Sequence, residues 1–84
     1  MMMADPINIL GIMVDNRADV APELQEVITR YGSDIICRMG VPSPSKKKGL
    51  ITLIFEGELA EVVSFREELS ALPGVLVQTI SFPQ

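Results

Sequence analysis

The side chains best placed to do chemistry sit in one short segment, Asp15-Asn16-Arg17-Ala18-Asp19, between an apolar run and a helical pattern. The first N–H groups of a helix have no partner inside it, so the start of a helix favours an anion or a carboxylate. Arg17 has the planar fork that clamps such a group with two parallel hydrogen bonds. The competing reading is helix capping and turn chemistry, for which Asp and Asn are equally suited. A second polar position is Arg38, alone in an otherwise apolar stretch. A charge there can guard a strand against fibrous association, pair with an acid across an interface, or contact a ligand. Asp15, Asn16, Arg17, Asp19 and Arg38 are therefore the candidate ligand-binding residues.

Other chemistries lack their parts. No histidine occurs in the 84 residues, which removes the usual general base and metal ligand. Cys37 is the sole cysteine, so no disulfide forms within the chain and no tetrahedral zinc site closes. Its place in mid-strand predicts a buried, inert thiol. Gly40, Gly49 and Gly57 are too dispersed to cradle a phosphate. Glu58, Glu61, Glu67 and Glu68 read as a solvated helix face rather than a metal site. The sequence thus assigns no catalytic residue, cofactor or metal, and predicts a protein that is not an enzyme. Its 7 Lys and Arg against 11 Asp and Glu leave a net charge of −4, which disfavours binding a polyanion such as DNA. The one basic run, Lys46-Lys47-Lys48, reads as a solvated loop tip. No apolar run reaches the roughly 18 residues that span a bilayer. Met1-Met2-Met3-Ala4-Asp5 lacks the basic start of a secretory signal, and with one unpaired thiol this predicts the cytoplasm.

The elements that must position these residues follow from periodicity. Pro6 to Val14 is apolar and short, and reads as a strand. Val20, Leu24, Val27, Ile28 and Tyr31 then form a helical stripe, with Pro22 in the first turn, Asp19 as N-cap and Gly32 as the stop. Asp34 to Val41 predicts a second strand, and the Pro- and Ser-rich stretch to Gly49 a turn. Leu50 to Glu56 predicts a third strand in a hairpin with the second. Leu59, Val62, Val63, Phe65, Leu69 and Leu72 mark a second helix, ended by Pro73-Gly74. Val75 to Phe82 is the fourth strand. The order β-α-β-β-α-β with right-handed crossovers gives an α+β, ferredoxin-like fold: a four-stranded antiparallel sheet with both helices on one face. Residues 7–82 form one domain, after a short disordered or extended tip at residues 1–6.

The strands themselves carry an anomaly. A sheet face left open to water should alternate polar with apolar residues. Here Ile7, Ile9, Leu10, Ile12, Met13 and Val14 fall on both sides of the first strand, and the third strand is similar. The second strand places Ile35, Cys37, Met39 and Val41 on one side and Ile36, Arg38 and Gly40 on the other. A chain of 9.2 kDa buries only about 63% of its unfolded surface, so its core is thin. Two apolar sheet faces therefore predict a homo-oligomer, a dimer or tetramer, built through strand edges or face-to-face packing.

Asp15-x-Arg17-x-x-Val20 with the following helical stripe resembles the first loop and helix of ACT-type regulatory domains. Leu72-Pro73-Gly74-Val75-x-Val77 is similar to their last helix–strand junction. Arg30-Tyr31-Gly32-x-x-Ile35-x-x-Arg38-Met39-Gly40-Val41-Pro42 resembles the small stand-alone proteins named as regulators of the iron-only hydrogenase system. Those are relatives of the effector-binding half of the nickel-responsive repressor. The resemblance covers about Ile7 to Phe82. It implies an ACT-like regulatory module that responds to a small-molecule effector or a partner regulator protein. Without histidine the repressor's nickel site does not carry over, and six residues before the first strand are too few for its DNA-binding arm. Asp19 stands near the place where amino-acid-binding ACT domains often carry glycine.

Overall fold

The computed structural model describes residues 6–15, 19–42 and 48–82. Among the described residues seven elements succeed one another: strand β1 (Ile7–Asp15), helix α1 (Ala21–Arg30), a single 3-10 turn (Gly32–Asp34), strands β2 (Ile35–Pro42) and β3 (Lys48–Glu56), helix α2 (Leu59–Ser70) and strand β4 (Val75–Phe82). The strands pair antiparallel in the order β2-β3-β1-β4, so β1 and β3 are central and β2 and β4 are edges. This is the ferredoxin-like arrangement that the element order predicts.

One sheet face is covered. Asn8, Leu10 and Ile12 of β1 and Leu53 and Phe55 of β3 turn towards the helices and are fully buried. Leu24, Val27 and Ile28 of α1 and Val62, Phe65 and Leu69 of α2 close over them. Three rings fix the helix ends against the sheet. Tyr31 stacks on Phe65 with ring centroids 4.4 Å apart, and Phe55 lies 5.6 Å from Phe65. At the sheet end beside Pro6, Asn8 Nδ2 donates to the carbonyls of Pro6, Phe55 and Gly57 at 3.2, 3.3 and 3.5 Å. The Pro6 carbonyl also accepts the Gly57 N–H at 3.1 Å, so the Asn8 amide adds donors to the backbone carbonyls at this end of the sheet.

Two local details depart from the sequence reading. Helix α1 is entered through Val20, at φ −108°, with no side-chain cap. Asp19 instead adopts φ 53°, the left-handed region. Val20 is buried in the core, and holding it there moves the tight turn back to Asp19, a residue type that tolerates this conformation. In β2 the pairing shifts between Ile35 and Cys37: Ile35 opposes Phe55, and Cys37 opposes Ile54. The bulge at Ile36 reverses the facing of the rest of the strand. Ile35 and Arg38 therefore share the helix side, while Cys37 and Met39 face the other way. Cys37 is exposed in the single chain, not buried as predicted, because that other face has no cover.

Candidate functional site

The open face alternates in register with the core face. Its side chains are Ile7, Ile9, Gly11, Met13 and Asp15 on β1, and Lys48, Leu50, Thr52, Ile54 and Glu56 on β3. Edge strands add Cys37 and Met39 on one flank and Leu76, Gln78, Ile80 and Phe82 on the other. Large apolar groups lie bare: Met39 is 60% exposed, Leu76 67% and Ile80 57%. A contiguous apolar surface of this kind is uncommon on a monomeric protein.

Two depressions lie side by side on it. One, of about 270 Å³, is lined by Met13, Asp15, Lys48, Gly74, Val75 and Leu76. The other, of about 300 Å³, is centred on Gly11 and bounded by Met13, Leu50, Leu76 and Gln78. Glycine makes that dip, since a Cβ at Gly11 would approach nothing nearer than the Gln78 carbonyl at 3.9 Å. The first depression has a polar rim. Asp15 and Lys48 are directly opposed across β1 and β3. Asp15 N–H donates to the Gly74 carbonyl at 2.8 Å, which ties the exit of β1 to the turn before β4. Gly74 makes that turn at φ 74°, where a Cβ would be strained.

Of the candidate residues, Asp15 lines this cavity. Asp19 is exposed, four residues further on, where the chain enters α1. Asn16 and Arg17 lie outside the described residues. Arg38 is not brought to the cluster. It sits on the helix side of edge strand β2 and donates to Gln25 Oε1 of α1 at 2.7 Å. Its register partner Leu53 opposes Leu10, five residues from Asp15, which places the two about 20 Å apart and on opposite sheet faces. Sequence reading missed Lys48, assigned to a solvated loop tip, because the third strand begins there and not at Leu50. The signal was present: Lys48 continues the alternation of Leu50, Thr52 and Ile54.

A separate polar cluster joins the helices. Glu68 of α2 accepts the Tyr31 hydroxyl on one oxygen and Arg30 Nη1, at 2.6 Å, on the other. The Tyr31 bond, helped by Arg30, holds the Glu68 carboxyl below its ordinary range. The same bond to a carboxylate, with burial, pushes the Tyr31 phenol up. This cluster braces the helix pair and faces away from the cavity. Among the described residues no three His, Cys, Asp or Glu side chains gather closely enough to hold a metal ion. No described helix is long and apolar enough to cross a membrane.

Comparison with known proteins places this geometry. The model of the TM1266-like family, described as "Iron-only hydrogenase system regulator, putative", matches residues 6–79. No curated protein sequence matches the chain. The uncharacterized protein TM1266 from Thermotoga maritima superposes with a TM-score of 0.88 at 22% identity, over 96% of this chain and 100% of that one. The C-terminal domain of the MgtC protein from Mycobacterium tuberculosis gives 0.73 at 14% identity, over 98% and 93%. CPII, a nitrogen regulatory PII-like protein from Thiomonas intermedia K12 solved with ADP, AMP and bicarbonate, gives 0.57 at 15%, over 98% and 100%. At these identities the solved structures establish the fold.

Proposed function

This chain belongs to the TM1266-like family, and we propose that it is a non-catalytic, ACT-like regulatory module whose assembly responds to a bound ligand or partner protein. Its setting, by family, is control of an iron-only hydrogenase system, in the cytoplasm. The observation that carries the reading is the open face, which is apolar across its breadth yet ends in a cavity edged by Asp15 and Lys48. An apolar sheet face of this size supports a homo-oligomer, a dimer or tetramer. A cavity with a polar rim opening on that face supports a ligand held at a subunit boundary. The proposed ligand-binding residues are Asp15 and Asp19, with Asn16 and Arg17 between them in the sequence, and the ligand carries an anionic group suited to Arg17. Arg38, on the far side of the sheet, belongs to a different contact in this proposal: a partner protein reaching the β2–α1 flank.

Ligand and assembly are then linked. A ligand shifts the association equilibrium by no more than its differential affinity for the two states. The test is a thermal-shift panel of amino acids, nucleotides (including ADP and AMP), bicarbonate and divalent metals, followed by titration of any hit. A sensor shows a rise in melting temperature with ligand concentration, and Arg17→Ala weakens that binding. Equal binding by wild type and Arg17→Ala removes Arg17 from the site. The second reading is an oligomerisation or adaptor protein with no small-molecule ligand. It is favoured by the larger depression lying in the apolar part of the face, around Gly11. A flat panel beside a stable oligomer selects it.

A further inference from the structure

Self-association leaves open which way round two copies sit, and the charges at the ends of β3 decide it. Its open-face side chains begin with a cation, Lys48, and end with an anion, Glu56, with Leu50, Thr52 and Ile54 between. Both charged groups are exposed. Packed sheets keep their strand directions within about 30° of parallel or antiparallel alignment. A twofold axis along the strands, midway between β1 and β3, stacks β3 on β1 of the other copy, which sets Lys48 over Asp15 and leaves Glu56 over Ile7 with no cation to meet. A twofold axis across the strands, beneath the Thr52–Gly11–Gln78 row, sets Lys48 of each copy over Glu56 of the other. Only the second arrangement gives Glu56 a cation, and Lys48 then lies between Asp15 of its own sheet and Glu56 of the other copy, so opposite charges fix the register. Glycine at the centre of the axial row lets the layers approach closely. The face spans four strands and about eight residues, or roughly 500 Å² in flat projection per copy, so two copies reach the ~1,000 Å² that a stable interface needs.

The same operation has a consequence for the cavity. The row that holds Asp15 and Lys48 comes to lie over the row that holds Ile7, Glu56 and Phe82 of the second copy. We propose that two copies of this chain stack their open faces with strands antiparallel, pairing Lys48 with Glu56 of the second copy, whose Phe82 roofs the cavity beside Asp15. The cavity is thus half a site in one chain and is completed by the partner. This deepens the assembly part of the reading above and does not depend on its ligand.

Sedimentation equilibrium in low-salt buffer on the wild type, Lys48→Glu, Glu56→Lys and the double variant tests the stacking. Each single reversal is expected to weaken the dimer about tenfold, and the double variant to return within about threefold of wild type. Singles without effect, or a double variant no better than the singles, overturn the antiparallel stack. A monomeric wild type also overturns it and gives the face to a different partner, a protein or a lipid surface. Phe82→Trp supplies a second readout, because the chain has no tryptophan. Its emission is expected to shift to the blue as the dimer forms, and the same emission in monomer and dimer removes Phe82 from the roof. A flat ligand panel leaves this stack standing, whereas a dimer blind to charge reversal sinks the stack and leaves the sensor.

Discussion

Glu68 is shared between a phenol and a guanidinium, and the consequence is a pH window. Its carboxyl is held below the ordinary range, so it contributes stability above its unfolded pKa of about 4.3 and loses it as pH falls through the folded value. The Tyr31 phenol is raised, so its contribution is present below the unfolded value near 10 and is lost as pH rises through the folded one. Tyr31→Phe keeps the ring stack on Phe65 and removes the bond. Its melting temperature is expected below wild type at neutral pH, with the gap narrowing under about pH 4 and above about pH 10. A gap constant from pH 3 to 11 would contradict the pairing. The periodicity that placed Tyr31 on the helical stripe carried no sign of this partner, which stands 37 residues away. Asp19 offers a second residue-scale test. Its backbone lies at φ 53°, so Asp19→Gly relaxes the turn while deleting the carboxylate. The variant is expected to be as stable as wild type or slightly more so in thermal unfolding. Any loss of ligand binding then belongs to the carboxylate, and a clear loss of stability would show that the side chain anchors the turn.

The elements were legible where a single periodicity governed them. Val75 to Phe82 forms the fourth strand as its pattern predicts, and the first strand is displaced by one residue. The second strand was legible as a strand but not in its facing. The bulge at Ile36 is set by pairing to β3, which no local pattern records, and it moved Cys37 from the expected core to the open face. Lys48 shows the opposite failure, where charge composition outweighed an alternation that was there to read. Two tight spots hold the sheet end in place. A Cβ at Gly57 would come within 2.5 Å of Phe55 Cε1, in a ring that is fully buried and packed against Phe65. Gly57→Ala is therefore expected to destabilise by about 1–3 kcal/mol in denaturant unfolding, and a neutral result would mean that the ring yields freely. Asn8→Ala removes the donor to three carbonyls and is expected to cost about 1–3 kcal/mol in the same assay. An unchanged midpoint would show that these amide bonds do not hold the sheet end.

At the scale of the whole molecule, the two helices use one face of the sheet and leave the other bare. Had the open face been polar, the chain would read as a self-sufficient domain with a surface turn of mixed charge. Met13, Leu76, Ile80 and Phe82 are exposed together, and the proposed assembly is what covers them. The cavity beside Asp15 opens on that same face, so in the proposed stack covering the face and closing the cavity are one event. Apolar residues on both sides of the strands made the bare apolar face legible in the sequence. The identity of the candidate site was legible only in part, because Lys48 and Gly74 join Asp15 through sheet register and a turn, not through sequence proximity. The most direct measurement is the molar mass of the wild-type chain by sedimentation between about 1 and 100 µM, a range that holds interfaces at the smaller end of the specific classes. The predicted result is an even multiple of 9.2 kDa, a dimer or tetramer. A stable species of 9.2 kDa throughout that range would contradict the account.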